Sequence, residues 1–241
     1  MRAVDVSAAA IFTALVCVAT MMLSIYVPAT RGYFNVGETM VYTTALLFGP
    51  FIGAFAGGVG SMLADLFLGY VAYAPGTLAI KACEGAVVGL LARKRPVGSR
   101  SAWRVYTLAL GSLAGFLLAL IGASYYSGSM ELRLGIPPPE KPMILVIPPE
   151  LWYVLGSLVF CIVALMGFYF EPEFGWIVFS VLVGGMEMIL GYYLYELMLV
   201  GAVAIVEVVV NIAQMMVGLI VSLPVVRALR RAFPQLKSMY R

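Results

Sequence analysis

The sequence predicts an all-α integral membrane protein. Its composition, the length of its apolar runs and the placement of its few charges carry that prediction. Of 241 residues, 63% are hydrophobic and 11% charged, where soluble domains average roughly 45–50% and about 25%. A soluble domain of this length lacks the interior for so much apolar side chain. Lipid is therefore the expected solvent, and a helix satisfies its own backbone hydrogen bonds there. Barrel strands would alternate apolar and polar residues in segments of about ten; here the runs are longer and unbroken.

Eight spans are expected, roughly at 6–27, 36–48, 50–69, 75–92, 103–125, 150–170, 175–198 and 201–224. The whole chain, 1–241, reads as a single transmembrane domain. The second and third spans are divided at Gly49-Pro50, because proline disfavours helix in the residue before it and suits the first turn of a new one. The second span is then too short to cross alone, which requires protein or a cavity around its ends. No signal peptide, soluble domain or internal repeat is evident. The segments 28–37 and 126–149 are rich in turn residues and proline, and are expected to be loops or extended.

With eight spans both termini share a side. That side collects Arg2, Arg93, Lys94, Arg95, Arg100, Arg104, Arg227, Arg230, Arg231, Lys237 and Arg241, against Arg31, Arg133 and Lys141 opposite. Positive charge gathers on the cytoplasmic side, so cytoplasmic termini in a cell membrane are expected. Joining 36–69 into one span would send the basic loop at 93–104 outside.

Ionisable groups inside spans are costly and often functional. Here they are Asp65, Lys81, Glu84, Glu187, Glu196 and Glu207, with Asn211 and Gln214 as neutral company and Glu38 opening the second span. Glu207, Asn211 and Gln214 share one helix face, and Lys81 and Glu84 have the spacing of an intrahelical pair. On the expected topology these groups, with Asn35 and Tyr42, converge on an outward-opening cavity. Phe34, Tyr42 and nearby tyrosines would stack on a flat ring such as an isoalloxazine, pyridine or pyrimidine. Tyr70, Tyr73, Tyr192, Tyr193 and Tyr195 read mainly as an interfacial belt. Small residues at Ala10 and Ala14, and at Gly53, Ala56, Gly57, Gly60 and Ala64, allow close helix approach.

The chain has no histidine, which excludes His-based triads and His-ligated metals or haem. Cys17, Cys83 and Cys161 are isolated in apolar runs and read as buried hydrophobes. No phosphate-binding G-x-x-x-x-G-K-[ST] loop or H-E-x-x-H motif occurs. Neither an enzyme nor a metal, cofactor or nucleic-acid binder is expected. A carrier of a small solute is, energised elsewhere or, alternatively, a self-sufficient ion-coupled transporter using Asp65, Glu84 and Glu207.

Residues 32–93, opening Gly32-Tyr33-Phe34-Asn35-Val36-Gly37-Glu38, and residues 184–231 resemble the substrate-binding S components of energy-coupling factor (ECF) vitamin transporters, of the riboflavin-type branch. The Ala10-x-x-x-Ala14 ridge resembles the first-helix alanine motif of that family. The resemblance implies a six-helix bundle that captures a small water-soluble vitamin beneath the loop after helix one. It also implies a transmembrane coupling subunit, met at Ala10 and Ala14, and two ATPase subunits. Against six helices, residues 103–170 are expected to be an inserted helical hairpin. The substrate set expected is Phe34, Asn35, Glu38, Tyr42, Asp65, Lys81, Glu84, Glu196, Glu207, Asn211 and Gln214.

Overall fold

A computed structural model describes residues 3–27, 30–94, 99–125, 127–132 and 143–235. The helices are α1 (Ala3–Met22), α2 (Glu38–Phe48), α3 (Pro50–Leu68), α4 (Ala74–Arg93), α5 (Arg100–Tyr125), α6 (Pro149–Tyr169), α7 (Pro172–Val200) and α8 (Ile205–Ala232). Two antiparallel hairpins accompany them, β1 (Ser24–Val27) with β2 (Gly32–Asn35), and β3 (Gly128–Leu132) with β4 (Met143–Ile147). Of the charges used for orientation, Arg2, Arg95, Arg133, Lys141, Lys237 and Arg241 lie outside the described residues, as does Pro137-Pro138-Pro139.

By length and composition, six helical stretches among the described residues can cross a membrane: Ala3–Met22, Pro50–Leu68, Ala74–Arg93, Arg100–Leu120, Pro149–Tyr169 and Pro172–Ala232. The chain is thus a helical, multi-pass membrane protein. The last stretch contains α7 and α8, separated by a 3₁₀ turn, Gly201–Ala204, that Gly201 enters at φ 71°.

The first helix is shorter than expected. It stops at Met22, and Ser24–Val27 pairs with Gly32–Asn35 in the register Ser24↔Asn35 to Val27↔Gly32. Ile25, Tyr26 and Val27 are β-branched or aromatic, and such residues favour a pleated strand once a partner is near. Apolar composition alone does not separate that strand from the helix before it.

The break at Gly49-Pro50 is present. Gly49 has φ 82°, in the region that only glycine enters cheaply, and Pro50 opens α3. The 11 residues of α2 span roughly 16 Å at 1.5 Å per residue, about half of a hydrocarbon core. Protein covers what lipid would leave unsatisfied: every α2 residue except Met40 is buried. Orphan carbonyls at its C-terminus accept from arginines, with Arg93 Nη2 2.7 Å from the Phe48 oxygen and Arg230 Nη2 2.7 Å from the Leu46 oxygen.

The chain divides into two compact units, 1–95 with 176–241, and 96–175. In the first, α3 packs against α1, α2 and α4. The second contains all of the expected 103–170 stretch. There α5 and α6 run antiparallel with their backbones touching at Gly115 and Gly156, where a Cβ on either would meet the carbonyl oxygen of the other. Trp103 is fully buried and its Nε1 donates to the Met166 oxygen at 3.4 Å.

Candidate functional site

In the first unit the polar side chains gather at one end. The C-terminal ends of α1, α3 and α7 and the N-terminal ends of α2, α4 and α8 supply them, and the β1–β2 hairpin contributes Gly32, Tyr33 and Asn35. Arg93 and Arg230 bind carbonyls at the other end of α2.

From α8, Glu207, Asn211 and Gln214 are all buried along one face. Gln214 Nε2 donates to Asn211 Oδ1 at 2.7 Å, and Gln214 Oε1 accepts from the Asn35 amide at 2.8 Å. The Thr30 hydroxyl donates to Glu207, and Tyr73 donates to the Thr30 carbonyl at 2.8 Å. From α3, Asp65 Oδ1 accepts from the Tyr33 phenol at 2.6 Å. Burial, then the Asp65 charge, pushes the Tyr33 phenol up, which keeps it protonated as the donor. Hydrogen bonds therefore tie the hairpin and Thr30 to α3, to α8 and to Tyr73, just before α4.

A second, deeper layer centres on Lys81. Its ammonium contacts Glu38 and Glu84, the latter at 3.1 Å, and Tyr42 donates to Glu84 at 2.8 Å. Lys81 also lies 5.3 Å from the centre of the Tyr192 ring, whose hydroxyl donates to Thr77 at 3.0 Å. On the side chains that line the cavity, three carboxylate oxygens have no partner among the described residues: Glu38 Oε2, Asp65 Oδ2 and Glu196 Oε2. The cavity between these groups has a volume of about 30 Å³, enough for one or two waters.

Asn35, Glu38, Asp65, Lys81, Glu196, Glu207, Asn211 and Gln214 line this cavity. Three expected residues do not. Phe34 sits between Tyr33 and Asn35 on β2, and alternation turns it to the other face. Tyr42 and Glu84 lie in the layer behind, where they hold Lys81. Tyr73 and Tyr192, read as interfacial belt, line the cavity instead. Thr20, Tyr33, Ser61 and Thr77 were not singled out as ligand contacts. Helical spacing offers a signal for the last two: Ser61 precedes Asp65 by four, and Tyr73, Thr77 and Lys81 recur every four.

Ala10 and Ala14 are exposed along α1, while Ala8, Ala9 and Thr13 face inward. Among the described residues no group of three or more His, Cys, Asp or Glu is placed to hold a metal ion.

A model of the family described as "ECF-type riboflavin transporter, S component" matches residues 1–132, more than half of the chain. The chain belongs to that family, a class of transporter subunits. The match covers α1 to α5 and ends with the last residue of β3, so the 184–231 block lies beyond it. A protein of Pyrococcus woesei, named only as an uncharacterized protein in the gap 3' region, is 42% identical over 107 residues, which cover 44% of this chain and 67% of that one.

Proposed function

We propose that this chain is the substrate-capture subunit of an ECF-type transporter. It takes a small, water-soluble, flat-ring vitamin, riboflavin-like or another, into the cavity beneath the β1–β2 hairpin. The observation that carries the reading is a small cavity lined by charged and polar side chains at one end of an apolar bundle, beneath a hairpin bonded to α3 and α8. A ring-sized ligand needs far more than about 30 Å³. Entry therefore requires the hairpin to lift, which breaks a few hydrogen bonds and leaves the helices in place.

Eight spans fit this role, with α2 as a short, protein-covered one and α7 and α8 as two crossings joined at Gly201. Both termini then face the cytoplasm with the basic residues, and the cavity faces outward. Residues 103–170 form an inserted hairpin. A transmembrane coupling subunit docks at Ala10 and Ala14, and two ATPase subunits supply the energy.

Calorimetry on the purified protein with a vitamin panel tests the reading. Binding of one member without ATP or metal is expected. Asn211→Ala should weaken it by about 5- to 150-fold, since one hydrogen bond with a buried partner is worth roughly 1–3 kcal/mol. ATP hydrolysis by the isolated chain, abolished by a mutation in it, would count against the proposal.

A further inference from the structure

We infer that Gln214 is a positioning residue that sets the polarity of the ligand site. Held by the β1–β2 hairpin, it turns the Asn211 amide so that its N–H groups meet an acceptor atom on the ligand's ring. The inference rests on the capture reading above and deepens it, because it assigns the kind of ligand atom that Asn211 takes.

The chain of hydrogen bonds starts at a group that has no choice. A backbone N–H can only donate, and the Asn35 amide lies 2.8 Å from the Gln214 side chain. The atom facing it is therefore Gln214 Oε1, which leaves the Gln214 NH₂ as the other arm. That arm lies 2.7 Å from the Asn211 side chain. Two NH₂ groups would repel, so Asn211 turns its oxygen to Gln214 and its Nδ2 away. One backbone group thus orients two side-chain amides. Asn211 and Gln214 are 4% and 3% exposed, and both line the cavity. The Asn211 N–H groups have no acceptor among the described residues. A buried donor left unpaired is costly, and the cavity is where an acceptor can arrive.

The two links of this chain respond differently to opening. Asn211 and Gln214 are three apart on α8, so their bond lies within one helix and survives a widening of the cavity. The Asn35 bond joins β2 to α8 and is lost when the hairpin lifts. Asn35 is itself held at the start of α2, where its Oδ1 accepts from the Gly37 amide at 2.9 Å. With the hairpin raised, the group that selects the Gln214 orientation is gone, and Asn211 can offer either end of its amide. Closure restores the selection. A ligand acceptor and the closed hairpin therefore favour each other, since successive hydrogen bonds in a chain polarise one another. A flat ring with carbonyl oxygens and unprotonated ring nitrogens, as in riboflavin, supplies such an acceptor.

The test compares riboflavin with its 2-thio, 4-thio, 1-deaza and 5-deaza analogues, each of which weakens or removes one ring acceptor. Titrated by calorimetry into the purified full chain, one analogue should bind about tenfold more weakly than riboflavin. Asn211→Ala should erase that difference. Gln214→Met keeps the length, loses both hydrogen bonds and should cut the difference to about threefold or less. A Gln214 that only packs would lower both affinities together and leave their ratio unchanged, which overturns the inference. Hydrogen exchange on the unaltered chain gives a second reading, and it decides alone if Gln214→Met melts early. At saturation, riboflavin should slow exchange of the 32–35 amides more than the weakened analogue does; equal slowing overturns the inference. If every analogue binds like riboflavin, or another vitamin binds and riboflavin does not, the inference falls and the capture reading stands. No binding by any vitamin overturns both.

Discussion

The Tyr33 phenol donates to Asp65 Oδ1 at 2.6 Å, joining the hairpin after α1 to the last turns of α3. This bond carries unusual weight because the second oxygen of Asp65 has no partner among the described residues. Tyr33 also stacks on Tyr70 with ring centres 4.4 Å apart, so the phenol's position is held by packing as well as by its hydrogen bond.

Tyr33→Phe keeps the stacked ring and removes the donor. Asp65 is left buried without it, at a cost of about 1–3 kcal/mol. Hydrogen exchange of the amides in 24–27 and 32–35 should quicken, while those of α5 and α6 keep their protection. Unchanged protection in the hairpin would show that Asn35 to Gln214 and Thr30 to Glu207 suffice to hold it closed.

Lys81 joins two acids that are otherwise alike in charge, Glu38 at the cavity and Glu84 behind it. Lys81→Met leaves both uncompensated and should lower stability in detergent by roughly 3–5 kcal/mol. Adding Glu84→Gln should recover part of that loss, because one stranded charge disappears. A double-mutant cycle from melting curves reads the coupling. Additive losses would mean that the three groups do not act as a unit.

Much of this architecture was legible in residue order. The Gly49-Pro50 break needed only proline sterics, and the face shared by Glu207, Asn211 and Gln214 needed only helical spacing. The extent of α1 was not legible, since Ser24–Val27 is as apolar as a helix end and becomes a strand only by pairing with Gly32–Asn35. The two-residue period of β2, which turns Phe34 away from the face that Tyr33 and Asn35 share, is not visible until that segment is known to be a strand. Span depth says nothing of which layer a side chain joins, so it does not separate Glu84 and Tyr42, which hold Lys81 from behind, from the cavity lining. Lys81 bridges the two layers, and that is a tertiary fact.

The orientation proposed for the bundle has a direct test. Ser99 precedes α5 in the basic loop and is exposed. A cysteine there, in a chain otherwise free of cysteine, should react with a membrane-impermeant maleimide only after cells are opened. Labelling of intact cells would invert the topology and place the cavity on the cytoplasmic side.

Small residues on α1 and α3 sit in two different surroundings, and substitution should separate packing from the proposed docking. Gly60 of α3 faces α1, where an added Cβ would lie 2.6 Å from the Thr13 carbonyl oxygen and 2.8 Å from the Val16 Cβ. No flexible side chain can give way there, so Gly60→Ala must push the two backbones apart, at roughly 1–3 kcal/mol. Ala10 and Ala14 are exposed on the other face of α1, and substitutions at such surface positions usually stay within about ±0.5 kcal/mol. Ala10→Trp with Ala14→Trp should therefore melt like the parent and bind solute with the same affinity. Association with the proposed coupling subunit should fall, because bulky side chains prevent the close backbone approach that small ones allow. Co-purification, uptake in cells and calorimetry on the same variant read the three effects separately. Retained association and uptake in the double variant would remove this face of α1 from the docking surface, and an early melt would assign Ala10 and Ala14 to packing within the bundle.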